Sequence, residues 1–334
     1  MTTTTPGGAA PGRPVRLASS GLPAARRRAL GRDRIASGAV LVAAGLSVLI
    51  VALVIIFLAI RATPVITDPA IGLKQFFTSS NWQPDANIGG FGTTMSTFGA
   101  LSPIAGTLAV TGLALLIAVP LSLSLALVLV EANPALGERY LRSAIELFVG
   151  IPSVVYGYLG FVILLPLLKP FAPAGADGSG ILAAGFVLSI MITPTITALS
   201  ADGLHAVPRS LKEASMALGA TQWQTMRKVL LPAARASIIS GVVLGMARAM
   251  GEALAVALVI GDVNVLDVKS NGIRALLKPF TTMTVTITDG VNNVTINPQG
   301  AAARYMLALV LLVMTFLCIV IVRYVNRNAE RPNQ

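Results

Sequence analysis

Five stretches of this 334-residue chain run for eighteen residues or more without a charge, and a sixth carries only two charged residues. They occupy residues 36–60, 103–130, 147–168, 181–201, 236–260 and 305–322, and the two charges are Arg248 and Glu252 in the fifth. About 20 mostly apolar residues suffice to cross a bilayer as a helix. The reading is therefore an all-α integral membrane protein with six transmembrane helices. The first run is too long for the apolar core of a secretory signal, and no small-residue cleavage site follows it. It reads as a retained span, set apart by the loop 61–102.

Composition agrees. Only 12% of residues are charged and 54% are hydrophobic, whereas a soluble domain carries about 25% charged residues. The net charge of +11 flanks the apolar runs instead of forming a basic face with interleaved aromatics, so nucleic acid is not an expected partner. With the N-terminus inside, the inner segments hold seventeen Lys and Arg and the outer loops seven, which places both termini in the cytoplasm. Residues 1–35 read as a disordered basic tail anchored by Arg26, Arg27, Arg28, Arg32 and Arg34, and 323–334 as a second cytoplasmic tail. Cys318, the one cysteine, permits no intramolecular disulfide, and His205, the one histidine, reads as a polar loop residue. No metal site and no catalytic constellation is expected. Trp82 and the pair Phe76-Phe77 suit a lipid interface.

The inner segment 202–235 contains EASMALGATQWQTMRKVLLP, residues 213–232. Pro208 opens a helix and Gly219 interrupts it, supplying a turn that a side chain would obstruct. A second helix is expected over 222–230, stopped by Pro232. Leu211, Ala214, Ser215 and Leu218 form one stripe suited to packing, and Trp223, Met226 and Leu230 another. Such a hairpin either lies on the bilayer or presents its tip to a soluble partner. None of the six lysines follows a glycine and no GxxxxGK[ST] occurs, so a phosphate-cradling loop would have to come from another subunit.

In the fifth run, Gly241 and Gly245 form a GxxxG pair that admits a neighbouring helix. Arg248 and Glu252 follow, four residues apart and able to pair. A charge in a span costs about 2.5–3.5 kcal/mol on insertion scales, so it is expected to pair or to face a cavity. Two readings stand: a salt bridge that fixes packing, or the lining of an anion path in which Arg248 donates to an oxyanion. Pro152 and Ser153 break the third run, and Pro194, between Thr193 and Thr195, breaks the fourth. Each break is either a hinge or a substrate contact. Pro120 reads as a simple kink.

Glu213-Ala214-Ser215, Gly219, Val229, Leu231 and Pro232 resemble the EAA loop of binding-protein-dependent ABC import permeases, with Ser215 replacing the second alanine. GMARAMGEALAVALVIGD around Arg248 and Glu252 resembles the intramembrane signature of the phosphate-specific importer's permeases. So do GIPSVVYG at 150–157, MITPTITALSADGLHAVP at 191–208 and FGALSPIAGTL at 98–108. Glu252-Ala253-Leu254-Ala255-Val256 is closer to the PstC type than to the PstA sister, which tends to carry proline shortly after the glutamate.

The resemblance implies the type I ABC importer permease fold in a bacterial plasma membrane, with a transport domain over 103–322. Glu213, Ala214, Ser215, Gly219, Trp223, Leu231 and Pro232 would dock an ATPase. Arg248, Glu252, Pro152, Ser153, Thr193 and Thr195 would line the phosphate path. ATP and Mg would be bound by a PstB-type ATPase dimer and not by this chain. The other implied partners are a PstA-type permease, a PstS-type binding protein and a phosphate-signalling regulator. Permeases for sulfate or molybdate, the PstA-type subunit and a phosphate-sensing membrane component remain open as alternatives.

Overall fold

The computed structural model describes residues 24–68, 71–84, 96–132, 142–261, 272–290 and 298–329. Residues 1–23, 69–70, 85–95, 133–141, 262–271, 291–297 and 330–334 lie outside the described residues. The chain divides into two units at Ile56/Phe57. Helix α1 (Ala24–Ala62) begins ahead of the expected span, so residues 24–35 are helix and not tail. The run Ala24-Ala25-Arg26-Arg27-Arg28-Ala29-Leu30 consists of strong helix formers. Within the first unit, the apolar side chains from Val40 to Ile56 are largely exposed, as suits a helix that meets lipid.

The second unit opens with a small cap. It comprises α2 (Pro64–Thr67), α3 (Leu73–Thr78) and a two-residue antiparallel pair, β1 (Trp82–Gln83) and β2 (Thr97–Phe98), in register Trp82↔Phe98. Phe76 and Trp82 are buried in the cap core and meet edge to face at 6.4 Å. They are core residues, and only Phe77 is exposed among the expected lipid anchors. Their edge-to-face packing gives the short cap its apolar centre.

The bundle follows: α4 (Leu101–Leu127), α5 (Arg142–Gly150), α6 (Ser153–Leu159), α7 (Ile181–His205), α8 (Arg209–Ala217), α9 (Gln222–Thr225), α10 (Arg235–Gly251), α11 (Leu254–Ile260), α12 (Met283–Asp289) and α13 (Pro298–Ala329). Among the described residues, five helices are long and apolar enough to cross a membrane, and six if the 69° bend at Ala234 joins two halves of one span. Helix α7 is the hub, with 72% of its apolar window buried against 28% for α4 and 11% for α13. Gly241 and Gly245 of α10 lie against Leu199 and Ile196 of α7, so close that a Cβ at Gly245 would come 2.8 Å from Ile196 Cγ1. The GxxxG expectation holds as packing.

Three expected helix boundaries move. The third span begins at Ser153, not Leu147, because Pro152 is extended (φ −58°, ψ 138°) and separates α5 from α6. Pro194 does not break α7, which runs through it. Ser122 Oγ of α4 and Thr197 Oγ1 both donate to the Thr193 carbonyl, at 3.1 and 2.8 Å, so two hydroxyls hold the backbone just ahead of the proline. Pro232 does not stop the second hairpin helix either. A π turn, Met226–Leu230, precedes it and the helix continues over Leu231–Ala233. The same order recurs just after α6, where a π turn at Gly160–Leu164 precedes Pro166 in Leu165–Leu168. The wider π turn accommodates the missing donor. His205 is the exposed last residue of α7 and not part of a loop.

Candidate functional site

The hairpin between α7 and α10 is built by two complementary caps. Helix α8 ends in a Schellman arrangement: Gly219 N–H donates to the Met216 carbonyl at 3.0 Å, and Ala220 N–H to the Ser215 carbonyl at 3.3 Å. Gly219 has φ +84°, yet nothing lies within 4 Å of a Cβ placed there. The glycine is required by the backbone and not by an obstructing neighbour, which corrects the sequence expectation. Helix α9 starts with a capping box in which Thr221 Oγ1 accepts from Gln224 N–H and Gln224 Oε1 accepts from Thr221 N–H. Ser215 and Thr225 hydroxyls meet at 3.0 Å and pin the two helices together.

The two apolar stripes divide. Leu211, Ala214 and Leu218 are exposed, as is Trp223, while Leu230 is buried and Met226 half-buried. Leu218, at the turn, is 90% exposed. The hairpin therefore seats its rear on the bundle and leaves an apolar tip that no described residue covers. Glu213 and Pro232 are also exposed, and Ser215 and Leu231 half-buried.

Arg248 and Glu252 do not form the ion pair that their spacing allows. Glu252 is extended (φ −76°, ψ 126°) and ends α10, so the expected fifth span 236–260 is broken there and helical i,i+4 geometry is lost. Arg248 Nη1 donates instead to Thr195 Oγ1 on α7 at 3.3 Å. The Glu252 carboxylate accepts from Ala255 N–H at 3.3 Å, capping the start of α11. The Thr193 hydroxyl donates to the Ser189 carbonyl of its own helix at 2.7 Å. Pro152 and Ser153 stand at the start of α6, which seats Gly157 on the Ala255 backbone just beyond Glu252. Tyr156 OH spans the α5/α6 break by donating to the Phe148 carbonyl at 2.7 Å.

A hydroxyl cluster around Glu252 was not anticipated from the sequence. Segment 272–290, expected as outer loop, folds back into the bundle, with Phe280, Met283, Thr284, Val285 and Thr286 buried. Thr284 Oγ1 donates to the Glu252 carbonyl at 2.7 Å. Met283 N–H donates to Thr107 Oγ1 of α4 at 3.0 Å. A void of about 10 Å³ remains among Thr107, Thr111, Glu252, Thr282 and Thr284, room for about one water. The alternating threonines of TTMTVTIT were the available signal.

The helix break at Glu252 thus follows a guanidinium that makes no ion pair among the described residues, and the capped hairpin precedes both in the chain. Residues 118–331 match the family described as "Binding-protein-dependent transport system inner membrane component". The chain belongs to this family. It is 42% identical over 275 residues to "Probable ABC transporter permease protein YqgH" of Bacillus subtilis (strain 168), covering 82% of this chain and 84% of that protein. It is 35% identical over 278 residues to "Phosphate transport system permease protein PstC" of Xylella fastidiosa (strain 9a5c), covering 77% and 80%. Its fold resembles a chain of a bacterial alginate ABC transporter crystallised with a pentasaccharide-bound periplasmic protein, with TM-score 0.58, 15% identity, and 92% and 99% of the two chains covered. As a member of the family, the chain is an integral inner-membrane permease.

Proposed function

We propose that this permease is the PstC-type subunit of an ATP-driven importer of inorganic phosphate. The observation that carries the reading is Arg248, a half-buried guanidinium inside a span, which makes no ion pair among the described residues and is steadied by one hydroxyl. A guanidinium so placed offers further donors to an oxyanion. Glu252, held at the helix break, sets a repulsive carboxylate nearby that keeps the anion from binding too tightly. The names of the PstC relatives support phosphate over sulfate or molybdate. Ser153 and Thr195 line the same path. Thr193, whose hydroxyl is spent on its own helix, does not.

In this reading both termini and the hairpin face the cytoplasm. Glu213, Ala214, Ser215, Gly219, Trp223, Leu231 and Pro232 belong to the surface that docks on a separate ATPase, which binds ATP and Mg. This chain makes and breaks no covalent bond. A PstA-type sister permease, an ATPase dimer and an extracytoplasmic phosphate-binding protein complete the complex, which a phosphate-signalling regulator can read. Nucleotide-driven displacement of the hairpin exposes the path to each side in turn, provided each state contacts phosphate differently. The test is uptake of radiolabelled phosphate and sulfate by cells lacking the chain and by cells given it back. Restored phosphate uptake alone supports the proposal, and restored sulfate uptake removes phosphate from it.

A further inference from the structure

We propose that Lys212 and Glu131 form the strut through which the hairpin drives α4, an inference that rests on reading the hairpin as the ATPase-docking element. Lys212 lies on α8, one residue before Glu213, and its Nζ pairs with Glu131 Oε2. Glu131 belongs to the π turn Val128–Ala132 that ends α4. Its side chain is only 8% exposed, and that of Lys212 33%. The other arm of the hairpin reaches the same residue, because Gln222 Nε2 donates to the Glu131 carbonyl at 3.4 Å. Both helices of the hairpin thus converge on one residue at the end of one span.

Beneath this tie the contact is apolar. Leu230 of the hairpin packs with Ala126 and Leu129 of the α4 end and with Ala201 and Leu204 of α7. Apolar contact is non-directional and lets the surfaces slide. The ion pair is directional, and a nearly buried carboxylate cannot be parted from its cation without a desolvation penalty. Displacing α8 therefore carries Glu131 with it. Helix α4 is 27 residues long, roughly 40 Å at 1.5 Å per residue. Toward its other end it carries Thr107 and Thr111, which line the void beside Glu252. The strut thus connects the docking surface to the polar break through a single helix. Lys212 and Glu131 are positioning residues: they act through α4 and touch no substrate.

The test uses the complete complex in proteoliposomes, with Lys212→Met, Glu131→Gln and the exchanged double variant Lys212→Glu/Glu131→Lys. Phosphate uptake and basal ATP hydrolysis are measured together. Each single variant is expected to lose about tenfold or more of uptake, within the range of measured coupling energies, while basal hydrolysis persists. The exchange should restore most of the uptake. Unchanged uptake in the single variants overturns the strut. So does a parallel loss of uptake and hydrolysis, which would indicate docking or folding, or an exchange that restores nothing. A wild-type complex that hydrolyses ATP without accumulating phosphate counts against the substrate reading alone. The strut is then judged by stimulation of hydrolysis by the binding protein, which the single variants should abolish and the exchange restore.

Discussion

Thr284 Oγ1 donates a 2.7 Å hydrogen bond to the Glu252 backbone carbonyl, joining α12 to the break between α10 and α11. A break within a span frees backbone groups that lipid cannot satisfy, so such breaks persist only where protein supplies partners. Here the carbonyl is met by a threonine hydroxyl and the carboxylate by Ala255 N–H. Glu252 is fixed at both its backbone and its side chain.

Thr284→Val should therefore leave the Glu252 carbonyl without this donor at nearly constant volume. The expected cost is about 1–3 kcal/mol, typical of a buried group that loses its partner. Thr284→Ser should retain most of the stability. Thermal unfolding of the purified complex, with phosphate uptake alongside, checks both, and equal melting of Thr284→Val and wild type would remove the role given to Thr284.

At Gly219 the conformation and the available space make different demands. The left-handed backbone (φ +84°) penalises most side chains, while the surroundings are open. A left-handed residue costs roughly 1–2 kcal/mol, least for Asn. Gly219→Asn is expected to keep ATPase co-purification and uptake near wild type, and Gly219→Val to reduce both. If Asn and Val are equally damaging, space at the docking surface matters and not backbone conformation.

Ser215→Ala removes the hydroxyl that meets Thr225, a residue only 1% exposed. The expected loss is about 1 kcal/mol, the net worth of an ordinary hydrogen bond. Ser215→Ala/Thr225→Val should recover part of it, because no buried hydroxyl is then left alone. A double variant weaker than the sum of the singles would contradict the pairing.

Asp177, in the loop after α6, supplies a pH dependence. The Ser179 hydroxyl donates to Asp177 Oδ1 at 2.6 Å and Ser179 N–H at 3.0 Å. The Ser179 hydroxyl is the main cause holding the carboxyl below its ordinary value of 3.8, with Lys169 a minor one, while partial burial opposes them. A depressed carboxylate stabilises the fold fully above that ordinary value and loses its contribution as pH falls through the lower folded value. Wild type should therefore melt above Asp177→Ala near neutral pH, and the gap should close in acid. A gap that widens in acid would reverse the assigned sign.

The spans, the GxxxG contact and the turn at Gly219 were legible because each follows from hydropathy, spacing or the permissiveness of glycine. The break at Glu252 was not, because Ala253-Leu254-Ala255 reads as continuous helix, and only the contacts from Thr284 and Ala255 show what stabilises the extended residue. The π turns were hidden for a related reason: proline announces a stop, but a helix that widens two residues earlier can pass through it, as at Pro166 and Pro232. Segment 272–290 looked like outer loop because its threonines lower its hydropathy, although their hydroxyls are satisfied internally once buried.

The most direct measurement of the central claim is ATP-driven accumulation of radiolabelled phosphate by proteoliposomes holding the complete complex, with wild-type chain and with Arg248→Gln. The account predicts that wild type accumulates phosphate and not sulfate. It also predicts that Arg248→Gln loses about tenfold or more, since hydrogen bonds to charged groups are worth about 1.5–3 kcal/mol, while the variant still assembles and hydrolyses ATP. Undiminished phosphate accumulation by Arg248→Gln, or equal accumulation of sulfate by wild type, would contradict it.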